Sequence, residues 1–266
     1  VTANAALTSA IGAISITGLT TAVAGTGVYL SSATITASGG AYAAGTSPAS
    51  DAIRITGTAL SGQAAINLAG TTSITNNSTN GNTDLIANVG NFVGPVTITN
   101  AATAGAIVVS AIGSTSAITS VAGTVYTQNS NAGIVLATSQ NGNLTAPKIA
   151  NNGTGNVILA AGAYLPVGTG TGGQIVGVST NTLTSASGNV YLFAGQPGAS
   201  FTNPTTLAYL NSALGTLSFN NTVFSQVYHT GNVPATSLVD TAINLANLPS
   251  ANTKTGSSAG PAIQFR

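Results

Sequence analysis

The residues able to do acid, base or metal chemistry are few: Asp51, Asp84 and Asp240, the lone histidine His229, and no cysteine. Paired-carboxylate hydrolysis needs two carboxyls within roughly 5 to 10 Å, and the wide sequence separation of the three aspartates gives no sign of that. His229 as a base needs an orienting partner such as Asp240. Three copies of His229 gathered on a threefold axis are a further candidate, for a metal or an anion. The plainer reading makes it a turn residue bonded to backbone. Calcium wants several carboxylates in one loop, and zinc sites built on thiolates are ruled out by composition. Asp51 and Arg54 are expected to flank one strand start, as a solvated or a local pair worth less than about 1 kcal/mol. No cofactor and no catalytic activity are expected.

Aromatic side chains are the remaining binding chemistry. Tyr29, Tyr42, Tyr126 and Tyr164 offer flat faces for sugars, with hydroxyls to hydrogen-bond them; the alternative is strand residues half-buried at a subunit contact. Gly168-Thr-Gly-Thr-Gly-Gly173 lacks the Lys-Ser/Thr ending of a phosphate-binding loop and opens no helical pattern, so a turn or connection is expected. Asn-x-Ser/Thr sequences are frequent because Asn and Thr are frequent, and no glycosylation is assigned.

These residues sit in a chain of 266 with 3% charged residues and a net charge of +1, where soluble domains average about 25% charged. No basic stripe for nucleic acid or for a membrane surface can be assembled from that. No stretch is apolar for the roughly 18 residues a membrane helix needs, because Thr, Ser, Asn or Gly interrupts every few positions. No basic segment followed by an apolar run marks a signal peptide. Hydrophobic residues make up 43% and aromatics 5%, so the apolar content is small: Ala, Val, Ile and Leu.

The elements that must carry these groups are short β-branched runs between Gly, Asn and Ser. Gly12-Ala-Ile-Ser-Ile-Thr-Gly18, Val28-Tyr-Leu-Ser-Ser-Ala-Thr-Ile-Thr36, Ala52-Ile-Arg-Ile-Thr-Gly57 and Val96-Thr-Ile-Thr99 are examples. Alternation of apolar and small polar residues marks half-buried strands, and branching at Cβ favours extended backbone. Gly-Asn-apolar steps recur unevenly at Gly142, Gly155 and Gly188, which argues against a propeller or a leucine-rich array. The expected fold class is all-β: an elongated fibre, either a β-solenoid or an intertwined strand shaft, with little helix.

Two regions are expected. Residues 1–197 form a repetitive β-rich shaft, with a boundary near Pro197-Gly198. Residues 198–266, where aromatics and prolines thicken, form a β-meander with a short helix and an extended tail. Asn203-Pro204 to Gly215 reads as a helix or as strands Leu207–Leu210 and Thr216–Phe219, the strands being favoured. Leu238 to Leu248 is the best helix pattern in the chain.

Leu217-Ser-Phe-Asn-Asn-Thr-Val-Phe-Ser-Gln-Val-Tyr-His-Thr-Gly-Asn-Val-Pro234 resembles bacteriophage tail-fibre and virion-appendage proteins, in which a Tyr-His-Thr-Gly-Asn step follows a short β-meander. The resemblance extends over roughly residues 140 to 235. It implies a homo-oligomer, expected as a trimer, together with other virion proteins and a host-surface glycan as candidate partners, in a virion or extracellular setting. It makes Tyr228, His229 and Asn232, with Tyr164 and Tyr126, the candidate assembly or contact residues. No acidic helical C-terminal chaperone segment is present. Gly155-Asn-Val-Ile-Leu-Ala-Ala-Gly162 is similar to repeats of filamentous-haemagglutinin-like adhesins, although their Asn-Pro-Asn motifs are missing. That likeness implies a bacterial surface fibre polymerising through β-strands. A polysaccharide hydrolase, as some tail spikes are, requires two close carboxylates.

Overall fold

The computed structural model describes residues 2–39, 51–113, 115–138, 142–161, 175–176, 182–186, 190–194, 218–219, 224–229, 254–255 and 264–265. Its described residues form strands joined by turns, with no helix among them. The all-β expectation holds.

The strands sort into three sheets by a fixed step. The first sheet takes β1 (Thr2–Ala3), β4 (Val28–Ser31), β7 (Ala64–Ala69), β10 (Asn91–Val93), β13 (Ile118–Thr119), β16 (Leu144–Thr145) and β19 (Ile175–Val176). The second takes β2 (Ala6–Ser9), β5 (Thr34–Ala37), β8 (Ser73–Asn76), β11 (Thr97–Asn100), β14 (Val125–Gln128), β17 (Lys148–Asn151), β20 (Thr182–Ser185) and β22 (Ser218–Phe219). The third takes β3 (Ile14–Leu19), β6 (Asp51–Thr58), β9 (Asn82–Val89), β12 (Ile107–Ala111), β15 (Ile134–Thr138), β18 (Val157–Ala161), β21 (Val190–Ala194) and β23 (Phe224–His229). At its far edge β25 (Gln264–Phe265) pairs with β23 in parallel and with β24 (Lys254–Thr255) in antiparallel fashion. As far as β21, every third strand therefore lies beside its counterpart and three consecutive strands make one tier; beyond it β20 pairs with β22 and β21 with β23.

Like side chains stack from tier to tier. In the second sheet Ile35, Ile74, Ile98, Tyr126, Ile149 and Leu183 occupy one register position. In the third, Ile16, Ile55, Leu85, Val109, Leu136 and Leu159 do the same. All three sheets contribute to a single buried cluster built almost wholly of Ile, Val, Leu and Ala, with Phe92 and Tyr126 as its largest members. Each fully buried Ile or Leu contributes about 1.5 to 3 kcal/mol of transfer free energy. Small aliphatic residues make up nearly all of this core.

The corners explain the punctuation. Val28 to Thr36, which alternates like one strand, is two strands broken at Ser32, whose φ is +51°. Gly94, at φ +126°, turns the chain from β10 towards β11, and a Cβ there would strike the Leu68 carbonyl oxygen. A left-handed backbone with so close a neighbour requires glycine.

Buried amides hold the turn from the second sheet to the third. Asn76, Asn100, Gln128 and Asn151 share one register position at the ends of β8, β11, β14 and β17. Asn76 Nδ2 donates to Gly81 O at 2.7 Å, and Asn100 Nδ2 to Gly105 O at 2.8 Å. Gln128 Nε2 donates to Gly133 O and Asn151 Nδ2 to Gly155 O, both at 2.6 Å. Thr83 Oγ1 donates to Asn100 Oδ1 at 2.7 Å, tying one tier to the next. A tier shifted by one residue would strand these amides in the core, so the ladder fixes register.

Candidate functional site

Period-two strands send one set of side chains to the core and the other outward, so any site must be sought on the outer faces. The two long sheets present unlike ones.

On the second sheet one outward column is Thr8, Thr36, Thr75, Thr99 and Thr127, followed by Ala150; the neighbouring column is Thr34, Ser73, Thr97, Val125 and Lys148. Every one of these residues is half-buried or exposed. None of the eight hydroxyls is engaged by another described residue. No pair in this sheet has a register shift, whereas the first and third sheets both carry them. Adjacent strands set the hydroxyls ~4.8 Å apart, and the i, i+2 step sets the columns ~6.7 Å apart. Charge enters only at Lys148.

On the third sheet the outward columns are Ser15, Arg54, Asp84, Val108, Val135 and Ile158, and Thr17, Thr56, Ile86, Ser110 and Ala137. Much of this face is closed to solvent. Ile86 is 2% exposed, Val135 3%, Ala137 1% and Ile158 2%, although none belongs to the central core cluster. Further along, Tyr191 aligns with Ile158, and Phe193 with Ala160 and with Tyr228.

The same face holds the described ionic chemistry. Arg54 Nη1 lies 3.1 Å from Asp51 Oδ2 and 3.8 Å from Asp84 Oδ2. Two aspartates that sequence spacing kept apart therefore meet, because β6 and β9 are paired with Arg54 opposite Asp84. Asp51 and Arg54 form the local pair at the start of β6, and only the solvated alternative is corrected: the Asp51 and Asp84 side chains are 3% and 2% exposed, against 25% for Arg54. Asn82 Nδ2 donates to Asp51 Oδ1 at 3.4 Å. The carboxylates are close enough for paired acid–base work, but they are buried and share one guanidinium.

Tyr126 is neither a sugar platform nor a subunit contact. It is fully buried in the core stack of the second sheet, with Val125 and Thr127 on the outside. Burial pushes its phenol pKa well above the ordinary tyrosine range, and Ser120 offsets part of the shift. The two hydroxyls are near enough for that influence, yet neither makes a hydrogen bond of normal geometry.

Tyr228 and His229 are the last two residues of β23, in register with Phe193 and Ala194, so His229 ends a strand rather than sitting in a turn. Asn232, Tyr164, Tyr42, Asp240 and the helix pattern Leu238 to Leu248 lie outside the described residues. Tyr29 is half-buried on the outer face of the first sheet. Among the described residues no group of three His, Cys, Asp or Glu is placed to hold a metal ion, and no helix is long and apolar enough to cross a membrane.

Sequence reasoning missed the amide ladder and the threonine columns. Both were marked by a recurring Thr/Ser-Ile-Thr-Asn phrase: Ser73-Ile-Thr-Asn76, Thr97-Ile-Thr-Asn100 and, with Val, Tyr and Gln substituted, Val125-Tyr-Thr-Gln128. Scans against protein-family models, curated proteins and solved structures found no match to the chain.

Proposed function

We propose that the chain is a structural, non-enzymatic fibre or decoration protein of a virion appendage, built as a β-solenoid shaft. The observation that carries this reading is the tiered stacking of three parallel sheets on one aliphatic core. Such an arrangement makes length cheaply, since each tier buries its apolar face against the next. The absence of charge before Asp51, with Ile11 91%, Val23 80% and Leu19 71% exposed on the first tiers, supports self-association. Unguarded strands and exposed apolar groups favour an assembly over a free monomer. The Tyr228-His229-Thr230-Gly231-Asn232 step supports the phage-appendage assignment, with a homotrimer as the expected state and a host-surface glycan as a candidate target. The location that goes with it is the virion or the extracellular space.

A second reading, a bacterial surface fibre or adhesin polymerising through its strands, draws on one observation. Val157–Ala161, from the haemagglutinin-like phrase, is a parallel strand in register with the tiers on either side.

Sedimentation of the purified chain together with negative-stain electron microscopy tests the proposal. Short rods of trimer mass are expected. Filaments of indefinite length favour the surface fibre, and a compact monomer at micromolar concentration overturns both.

A further inference from the structure

We infer that the open threonine face of the second sheet binds ice. The argument begins with what the face lacks. Sugar recognition on a flat surface uses aromatic rings, and the one aromatic residue on these strands from β5 to β17, Tyr126, points into the core. A second copy of the chain is a poor occupant. Two columns ~6.7 Å apart over strands spaced ~4.8 Å make a face of a few hundred Å2, short of the ~800 Å2 per partner in a standard interface. A charged partner has only Lys148 to engage.

What the face does present is a grid of hydroxyls, each except that of Ser73 beside a methyl group. Its two repeats lie close to those of the water oxygens on a prism face of hexagonal ice. Thr36, Thr75, Thr99 and Thr127 stand in one unbroken column without a register shift, and their hydroxyls are engaged by no other described residue. β-Branching restricts χ1, so the grid is ordered before any ligand arrives and little side-chain entropy is lost on binding. Each hydroxyl anchors one water, while the methyl between anchors orders the next without competing for its hydrogen bonds. Thr36, Thr75, Thr99, Thr127 and the positions beside them carry no charge, the first charge being Lys148 one strand further on, so no ionic hydration shell disturbs the layer over these four strands. The amide ladder one residue beyond the column, at Asn76, Asn100 and Gln128, holds the spacing rigid.

This inference is independent of the fibre reading, which is tested by mass and shape. Ice recrystallisation in dilute solution is the measurement, made with the full chain and with a matched concentration of an unrelated inert protein. The chain is expected to restrain grain growth. T75K and T99K are expected to lose that effect, and N67K, on the outer face of the first sheet, to keep it. If the lysine variants do not fold by circular dichroism, T75V and T99V, which keep shape and methyl groups but not the hydroxyls, must weaken the effect. Grain growth equal to that in the inert protein, or full activity in the face variants, overturns the inference while leaving a rod-shaped assembly intact.

Discussion

The second and third sheets share tiers and a core, yet their outer faces are opposites. One is an open grid of threonine; the other is sealed, apolar and carries a buried ionic cluster. Arg54 and Asp84 face outward from the third sheet, but Asp84 is 1% exposed, whereas Thr99 on the second stands at the water boundary. Strand alternation alone therefore does not say which side chains meet solvent. In β9 both faces are buried, and Asn82–Val89 reads Thr83, Leu85 and Ala87 inward and Asp84 and Ile86 outward, with all five closed to solvent. A chain with so little charge places two of its three aspartates on the closed face, which makes that cluster the most sensitive point of the fold.

Removing Arg54 should break the closed face most severely. R54L leaves Asp51 and Asp84 as buried carboxylates facing one another without the shared cation. Breaking a buried pair costs roughly 3 to 5 kcal/mol, and the low end is expected because Arg54 retains 25% side-chain exposure. The check is the midpoint shift in urea. The triple variant D51N/R54L/D84N should recover most of the loss, since the unpaired charges are then gone. A triple variant as unstable as R54L would mean that the arginine acts by packing instead.

Next in size is the direct test of closure. I158A removes a side chain that points away from the central cluster and is 2% exposed. If the face is sealed, the cost is that of a core truncation, about 2 to 4 kcal/mol. If it is open, the cost falls to the level of a surface change, within about 0.5 kcal/mol. Denaturation of I158A beside L159A, which lies in the true core one residue on, measures how far the two environments differ.

The sequence carried the strand class because alternation and β-branching are local signals, and runs such as Ala52 to Gly57 became strands at nearly their expected bounds. The tier repeat was hidden by unequal loops. β9 passes to β10 across Gly90 alone, whereas residues 162–174 separate β18 from β19. The arginine-bridged aspartates were hidden for a related reason. Their meeting depends on the β6–β9 register, a long-range property that no spacing along the chain encodes. Tyr126 was misjudged because a tyrosine in an alternating strand has no local mark of its side, and Val125 and Thr127 took the outer positions.

Within β14 the contrast between faces is compressed into neighbouring residues, with Tyr126 inward and Thr127 outward. Y126F deletes a buried hydroxyl that has no hydrogen bond of normal geometry, so stability near neutral pH should stay level or rise by up to about 1 kcal/mol. The pH response follows from the raised phenol pKa. Once pH passes the ordinary tyrosine value of about 10, the unfolded chain releases a proton that the folded chain retains. The native state then binds more protons, and stability falls with rising pH; below that value the two states bind equally and Tyr126 adds no slope. Denaturant melts between pH 8 and 11 should show Y126F losing stability less steeply than the parent chain. Parallel curves would place the phenol in contact with water.

The smallest effect belongs to the open face, and its smallness is the point. Thr99 makes no hydrogen bond through its hydroxyl to a described residue, and valine keeps its shape, its β-branching and its strand preference. T99V should therefore change the urea midpoint by no more than about 0.5 kcal/mol of stability, as surface substitutions do. The same exchange inside the core at Thr83, whose hydroxyl donates to Asn100 Oδ1, strands a buried acceptor and should cost about 1 to 3 kcal/mol. A T99V loss approaching that of T83V would mean that the threonine grid is covered in the folded chain. The two faces would then differ in chemistry but not in access to water.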